Sequence, residues 1–358
     1  MPDELVYPKL HEACGICGGC ASRVPLAYLT CLALYALQHR GQESAGIAAG
    51  NGLGDRLWHH RGLGLVSEVF SQITDLKELS CRTAVGHVRY SYQQEDRRLE
   101  SSQPLVLRYR YGELAIGHNG RLLNGPKLRA ELETEGAIFQ TRTDSELLAH
   151  LVARQATPDL EEALASVVPR LKGAFSFVLT DGQKVIGLRD GYGFRPLSLG
   201  AIGKNGYFLA SETCAFDTMG AKYIRDINPG EMVVLDGQGV HSRQLLDRSR
   251  QALCVFEYIY FARPDSNLQG RNVHLVRREL GRQLAREQPV EADLVSGVPD
   301  SSISAASGYA EQSGLPNEMA LVKNRYIGRV FIKPTREMRE RGTDIKLNAV
   351  PKIVQGKR

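Results

Sequence analysis

No stretch of the chain stays apolar for the ~20 residues that a helix needs to cross a bilayer, so a helical membrane protein is excluded. The opening segment carries Asp3, Glu4, Lys9, His11 and Glu12 and lacks the apolar core of a lipoprotein signal, which excludes lipid attachment at Cys14. Seven cysteines, an odd number with no secretion signal, do not make a disulfide framework and point to a reducing cytoplasm. Cys14, Cys17 and Cys20 have C-x2-C-x2-C spacing, but the fourth cysteine that a bacterial ferredoxin run places before proline is missing, since Val24 precedes Pro25. Burial of small cysteines in a strand is the competing account of Cys17 and Cys20. No internal repeat or low-complexity linker separates the halves of the chain.

At 358 residues the chain exceeds what one core usually fills, so two domains are expected. Hydrophobic content of 42% and charged content of 24% are those of an ordinary globular protein. The net charge of +5 is uneven: from Lys323 to Arg358 there are eleven Lys and Arg against three acids, a local +8 that leaves the remainder at −3. Interleaved aromatics and a nucleic-acid reading motif are missing from this basic tail. A polyanionic phosphate ligand is therefore expected, with no nucleic acid and no membrane as partners.

Among the residues present, Cys14-Gly15-Ile16-Cys17-Gly18 organises the rest. Removal of Met1 to Ala13 as a propeptide would make Cys14 the first residue and put an α-amine beside its thiol. Those groups titrate near pH ~8 and ~8.5, so the residue would carry its own general base next to its nucleophile. The chemistry this suggests is attack of a thiol on an amide carbonyl, for which an oxyanion hole and a substrate clamp are needed.

Pro25 to Gln38 has the apolar spacing of a mostly buried helix, and it runs into Leu37-Gln38-His39-Arg40-Gly41-Gln42-Glu43-Ser44-Ala45-Gly46-Ile47, which reads as a tightly hydrogen-bonded turn entering a core strand. Arg89 lies at the end of the strand in Gly86-His87-Val88-Arg89-Tyr90, where its fork would hold a carboxylate; a surface ion pair is the alternative. A short strand from Leu114 to Gly117 ends in His118-Asn119-Gly120. Asn119 and Gly120 offer the two donor kinds of an oxyanion hole, although Asn-Gly is first a turn signal. In Thr143-Asp144-Ser145-Glu146, Thr143 or Asp144 reads as a helix N-cap, and Asp144 would alternatively pair with a substrate ammonium.

Gly173 to Thr180 and Lys184 to Arg189 form a hairpin around Asp181-Gly182, with further strands over Tyr207 to Ala210 and Glu231 to Leu235. Strands in such close succession predict stacked antiparallel sheets flanked by helices. Past Cys254 the texture changes to a helix over Val273 to Gln288, a strand over Ala292 to Val298, a turn Pro299-Asp300-Ser301-Ser302 and a helix over Ile303 to Gln312. A helix N-terminus after a parallel strand is an anion site, so Ser301 and Ser302 are placed against a phosphate or a hydrated metal, with N-capping as the alternative. The stretch with Lys323 and Arg325 would form a mobile cover over that anion.

Taken in order, CGI at Cys14, LQHRGQESAGI from Leu37, GHVRY from Gly86, HNG from His118, TDSE from Thr143, RDGYGFRPL from Arg189, ASETCAFD from Ala210, EYIYFARPDS from Glu257, GVPDSS from Gly297 and KNRYIGR from Lys323 closely resemble the amidophosphoribosyltransferase family, in its iron-sulfur subgroup. The resemblance implies an α+β N-terminal-nucleophile glutaminase domain, a four-layer αββα sandwich over residues 14–245, after a propeptide at 1–13. An incomplete α/β type I phosphoribosyltransferase domain is implied over 246–358. It also implies that Cys14 is the nucleophile taking ammonia from glutamine, that Arg89 and Asp144 grip the glutamine carboxylate and ammonium, and that Asn119 with Gly120 stabilises the oxyanion. Cys254 would ligate a [4Fe-4S] cluster in the longer parent, and Ser301 would contact magnesium and pyrophosphate. Ammonia would then displace pyrophosphate from phosphoribosylpyrophosphate to give 5-phosphoribosylamine, the first committed step of purine synthesis. A homo-oligomeric, cytoplasmic parent is implied as well.

Three features depart from the family pattern. Tyr92-Gln93-Gln94 replaces small residues in the glutamine loop, and Ala13 stands where an acidic residue commonly precedes the nucleophile. Past Arg358 the family continues into a buried strand, an acidic pair and a Gly-Thr-rich ribose-phosphate loop, together with the later cysteines of the cluster. The transfer step is expected to need those residues, so the alternative is a truncated subunit retaining only glutaminase activity or only ligand or partner binding. A related glutaminase feeding another acceptor is disfavoured by GVPDSS and KNRYIGR.

Overall fold

Glycine lets the first strand, β1 (Gly15–Ala21), pass through the centre of the protein. A Cβ on Gly18 would lie 2.6 Å from Val178 Cγ1, and one on Gly19 2.6 Å from a ring carbon of Phe208, so side chains from both sides press directly on this backbone. The computed structural model describes residues 14–54, 56–73, 75–90, 98–204, 206–247, 250–324 and 345–358, which divide into two compact units on either side of Cys254 and Val255. The division falls later than residue 245 because Ala252 and Cys254 donate backbone hydrogen bonds to Tyr192 and Phe194 of the first unit, at 2.8 and 3.2 Å.

Two antiparallel sheets build the first unit. One contains β1, β2 (Ser44–Gly50), β3 (Trp58–Leu63), β4 (Thr83–Arg89), β9 (Ser198–Ile202), β10 (Gly206–Ala210) and β11 (Lys222–Asp226), in the order β11-β9-β10-β1-β4-β2-β3. The other contains β5 (Leu105–Tyr109), β6 (Gly112–Leu122), β7 (Gly173–Thr180), β8 (Val185–Arg189), β12 (Glu231–Asp236) and β13 (Gly239–Gln244), in the order β13-β12-β8-β7-β6-β5. Strand side chains alternate in direction, which separates one core between the sheets from one on each outer face, with a small fourth cluster at Ala48, Leu57 and Ala115. Ile16, Val85, Val178, Leu209 and Val233 fill the space between the sheets. Helices α1 (Leu26–Ala36), α2 (Val66–Val69) and α6 (Cys214–Met219) cover the outer face of the first sheet, over Ile47, Val88 and Phe208. Helices α3 (Gly125–Thr134), α4 (Asp144–Ala153) and α5 (Leu160–Val167) cover the second, over Ile116, Phe177 and Met232. This is the expected αββα stack.

The same alternation disposes of a cluster at the first three cysteines. Cys17 packs in the core under α1 while Cys20 faces the other sheet, and burial pushes both thiols up, Cys20 to about 11. The QHR turn is a 3-10 helix over Gln38–Arg40. Its Arg40 is ion-paired with Glu212, both side chains fully buried, and His39 Nε2 lies 2.7 Å from the same carboxylate oxygen. Gly41 must be glycine, since a Cβ there would stand 2.5 Å from the carbonyl of Arg89.

In the second unit α7 (Val273–Glu287) and α8 (Ile303–Ser313) cross with their backbones nearly in contact. A Cβ on Gly281 would be 1.9 Å from Ala305 O, and one on Gly308 1.9 Å from Arg278 O. Arg277 of α7 donates to the carbonyls of Tyr258 and Ala262, holding the single π-helical turn Glu257–Phe261. Three expectations are corrected here. Ala292 to Val298 does not form a strand: Val295 makes one parallel bridge to Asn317, because an apolar run becomes a strand only beside a partner, and this is the only bridge that it makes among the described residues. Ser302 sits at the N-cap of α8 with no side-chain cap bond, so capping does not occupy its hydroxyl. Lys323 ends a short strand, Leu321–Lys323, paired with Leu347–Ala349, and its ammonium is bound to Asp300, so it is anchored rather than part of a mobile cover. Arg325 and Tyr92-Gln93-Gln94 lie outside the described residues.

Replacing Glu212 by Ala strips Arg40 and His39 of a shared buried carboxylate. Breaking such a pair costs about 3–5 kcal/mol, so urea unfolding of the Glu212→Ala protein is expected to show a loss of that size, against a loss near zero for a surface pair such as that of Arg243 with Glu162.

Candidate active site

Cys14 stands one residue before β1, buried, with its Sγ 3.7 Å from the carbonyl of Tyr90. In the antiparallel register Ile16 faces His87 and Gly15 faces Val88. Continuing that alternation by one step sets Cys14 beside Arg89, both on the face that looks toward the second sheet, as Ile16 does. Arg89 is buried at the end of β4, and its Nη1 donates to Ser101 O at 2.6 Å.

Across the gap, β6 brings the other expected groups. A Cβ on Gly117 would meet Val85 and Ile16 at 3.5 and 3.6 Å, so odd-numbered positions of β6 face the first sheet, Asn119 among them. His87 Nε2 lies 2.9 Å from His118 O, so moving from Val85 to His87 on one sheet corresponds to moving from Gly117 to His118 on the other. One step further puts Arg89 and Cys14 at the same end as Asn119 and Gly120. Asn119 and Gly120 are not a turn: β6 runs through both to Leu122, because eight consecutive pairings with β7 override the local preference.

Asn119 is fully buried, and among the described residues neither its amide oxygen nor its amide nitrogen has a hydrogen-bond partner. A buried polar group without a partner costs free energy, and it marks a place where a ligand completes the bonding. Gly120 has φ +136, and a Cβ on it would stand 2.0 Å from Ala174 O, so only glycine fits. The N–H and C=O of Phe175, opposite Gly120, bond to Asp190 on the far side. Gly120 N–H therefore points away from β7, to the side where β5 has already ended at the Leu105–Ile116 pair. The Asn119 side-chain amide thus faces the first sheet, and the Gly120 N–H faces the open strand edge next to it.

His87 and His118 are buried neutral: desolvation drives both down to about 3, helped in His118 by the neighbouring His87 and Arg195. A carbonyl only accepts, so His87 carries its proton on Nε2 and donates it to His118 O. The ring of His118 stacks on Phe177, with centroids 4.2 Å apart. These two histidines therefore pack and position rather than transfer protons near neutral pH.

Thr143 caps α4, accepting from Glu146 N at 3.4 Å, and Asp144 is the first helical residue. Its Oδ2 accepts from Leu122 N at 2.8 Å, just past Gly120 on β6. Desolvation raises the Asp144 carboxyl to about 6, against the opposing pull of the Leu122 N–H, Arg121 and Arg129. Glu146 ties down the approach to the helix by accepting from the backbone N–H groups of Gln140 and Thr141 at 2.7 and 2.6 Å. Sequence reading did not single out Gln103, whose Oε1 accepts from His118 N and from Ser145 Oγ, both at 2.8 Å. Its partners are remote in sequence and carry no local signal.

The structure brings together Cys14, Arg89, Asn119 and Gly120 at one end of the inter-sheet space, with Asp144 at the end of the same strand. Cys254 is half-buried at the close of the first unit, while Ser301, Ser302 and Lys323 belong to the second. Among the described residues no three His, Cys, Asp or Glu side chains gather as a metal site.

Residues 87–218 match a family described as a glutamine amidotransferase domain. Over 350 residues, 98% of this chain and 72% of the relative, the sequence is 46% identical to amidophosphoribosyltransferase of Bacillus subtilis (strain 168). It is 44% identical over 353 residues to the Staphylococcus aureus (strain MRSA252) protein of the same name, covering 98% of this chain and 70% of that one. Among solved structures it resembles the B. subtilis glutamine phosphoribosylpyrophosphate amidotransferase complexed with ADP and GMP, with a TM-score of 0.87 at 46% identity over 96% of this chain and 74% of that chain.

Asn119→Ala separates a ligand-directed amide from a structural one. Because the native amide has no hydrogen-bond partner among the described residues, the urea midpoint of the variant is expected at or above that of the parent, while glutamine hydrolysis falls about 10²–10³-fold. A structural amide would lose stability and activity together.

Proposed function

Because the chain belongs to the amidophosphoribosyltransferase family, we propose that the first unit hydrolyses glutamine at Cys14 and that the ammonia released displaces pyrophosphate from phosphoribosylpyrophosphate, giving 5-phosphoribosylamine. The observation that carries the reading is the buried Asn119 amide, without a partner among the described residues, beside the glycine-only position 120 and on the Cys14 side of the sheet. Removal of Met1 to Ala13 would free the Cys14 amine to take the thiol proton. The sulfur then attacks the side-chain amide carbon of glutamine, and the oxyanion that forms accepts from Asn119 Nδ2 and Gly120 N. Collapse of this intermediate expels ammonia, with the Cys14 ammonium returning its proton to the leaving nitrogen. Water hydrolyses the thioester to glutamate. Arg89 holds the substrate carboxylate and Asp144 its ammonium.

Ser301 and Ser302 lead α8, an 11-residue helix whose N-terminal N–H groups favour an anion, and we assign them to the pyrophosphate and its magnesium. Lys323, bound to Asp300, and Arg325 would add positive charge there. The [4Fe-4S] cluster fits less well. Cys17, Cys20, Cys31 and Cys214 are buried in the first unit's cores, Cys81 packs against one of them and Cys14 is in the glutaminase site, so Cys254 offers the cluster a single ligand, and no step is derived through it.

Cys14→Ala is expected to abolish glutamine hydrolysis, and the intact mass of active protein should lack Met1 to Ala13; hydrolysis that survives the substitution would refute the assignment. Ammonia-driven formation of 5-phosphoribosylamine measures the second half-reaction by itself.

Asp144 must be ionised to bind an ammonium, and burial holds its carboxyl at about 6. The pH profile of kcat/KM for glutamine should therefore show an acid inflection at about pH 6 from Asp144, below the one that the Cys14 amine sets near pH ~8. Asp144→Asn should remove the lower inflection and lower kcat/KM by about 10–100-fold, the value of a charge-assisted hydrogen bond.

A further inference from the structure

Resting on the glutaminase reading above, the geometry points to Gln103 as a positioning residue that locks the oxyanion strand to the helix carrying Asp144. The segment Ser101 to Gln103 is buried, and three elements of the site converge on it. Ser101 O accepts from Arg89 Nη1 of β4 at 2.6 Å. Gln103 Oε1 accepts from His118 N of β6 and from Ser145 Oγ of α4, each at 2.8 Å. Ser102 O accepts from Arg61 Nη1 of β3 at 2.8 Å, and Gly46 of β2 lies so close that a Cβ would stand 2.4 Å from Gln103 O, so the segment itself is fixed to the first sheet.

The sequence demands such a device. β5 begins only at Leu105, so the edge of β6 at His118 has no neighbouring strand to satisfy it. Gln103 supplies an acceptor for the His118 N–H and His87 a donor for the His118 carbonyl, which fixes both backbone groups of the residue before Asn119. A side-chain carbonyl has two lone pairs, and the second takes the hydroxyl of Ser145, the residue after Asp144. One oxygen atom thus sets the distance between the groups that receive the oxyanion and the group that receives the ammonium. No hydrogen bond through the glutamine substrate is needed for that spacing.

The test compares Gln103→Met, which keeps length and loses the acceptor, with Gln103→Glu, whose carboxylate still accepts both bonds. Gln103→Met is expected to lower kcat/KM for glutamine about 10–100-fold, the size of a misplacement near 1 Å, through kcat and KM together. Gln103→Glu should recover most of it. Ser145→Ala, which cuts only the link to α4, should raise KM with little change in kcat. Alkylation of Cys14 separates positioning from loss of fold: the rate with 6-diazo-5-oxonorleucine, a glutamine mimic, should fall in Gln103→Met while the rate with iodoacetamide holds. Unchanged kcat/KM in Gln103→Met, or an equal loss with both reagents, overturns the proposal. If Gln103→Met does not fold, Ser145→Ala decides, and an unchanged KM overturns it. A parent protein inert to the glutamine mimic would instead refute the glutaminase reading and this proposal with it.

Discussion

Strand β6 is longer than the strand beside it, and the site follows from that mismatch. Where β5 stops, the backbone of β6 presents donors and acceptors that no ladder claims, in a place closed to water on both faces. Two ways of meeting that obligation are seen within three residues. At His118 the protein completes the bonding itself with side chains from Gln103 and His87. One residue on, the Asn119 side-chain amide has no hydrogen-bond partner among the described residues and faces the sheet that carries Cys14, while the Gly120 N–H points to the edge that β5 leaves open. The proposed oxyanion site lies at this buried sheet edge, beside a residue whose backbone groups are both fixed.

Burial also divides the charged groups by task. Glu212 is as buried as any residue in the chain, yet it has an arginine and a histidine around it, and it welds the QHR turn to the segment before α6. Asp144 is held by one backbone N–H with arginines nearby, and its proton affinity rises accordingly. A carboxyl poised in this way is receptive to an incoming cation in a manner that the neutralised Glu212 is not. The two histidines nearest the site lie at the other extreme, too desolvated to charge, and serve through the direction of a single N–H.

Much of this was legible in the residues. The alternation in Gly173 to Thr180 gave a strand with correct edges, the apolar spacing of Pro25 to Gln38 gave a helix that forms over Leu26–Ala36, and the burial of Cys17 and Cys20 followed from small side chains in a glycine-rich strand. Cys14, Arg89, Asn119, Gly120 and Asp144 were singled out by residue type and motif, and the fold sets them along the facing ends of β1, β4 and β6 and the start of α4. What was not visible were relations across the chain. Asn119-Gly120 reads locally as a turn and becomes strand only because β7 lies alongside. Ala292 to Val298 reads as strand and makes a single bridge, since pairing is a property of two segments and not of one. Gln103 has partners 15 and 42 residues away, and nothing in its own neighbourhood announces them.

The crossing of α7 and α8 has a mechanical corollary. With Gly281 seated on Ala305 and Gly308 on Arg278, no side chain lies between the two backbones to deform. Neither helix can slide along the other without driving a Cα into a carbonyl, so the pair translates as one piece. Arg277, on the same helix as Gly281, grips the carbonyls on either side of Tyr260 and Phe261. A push delivered at Ser302, the head of α8, therefore reaches the turn at Glu257–Phe261 without slack, as along a stiff lever.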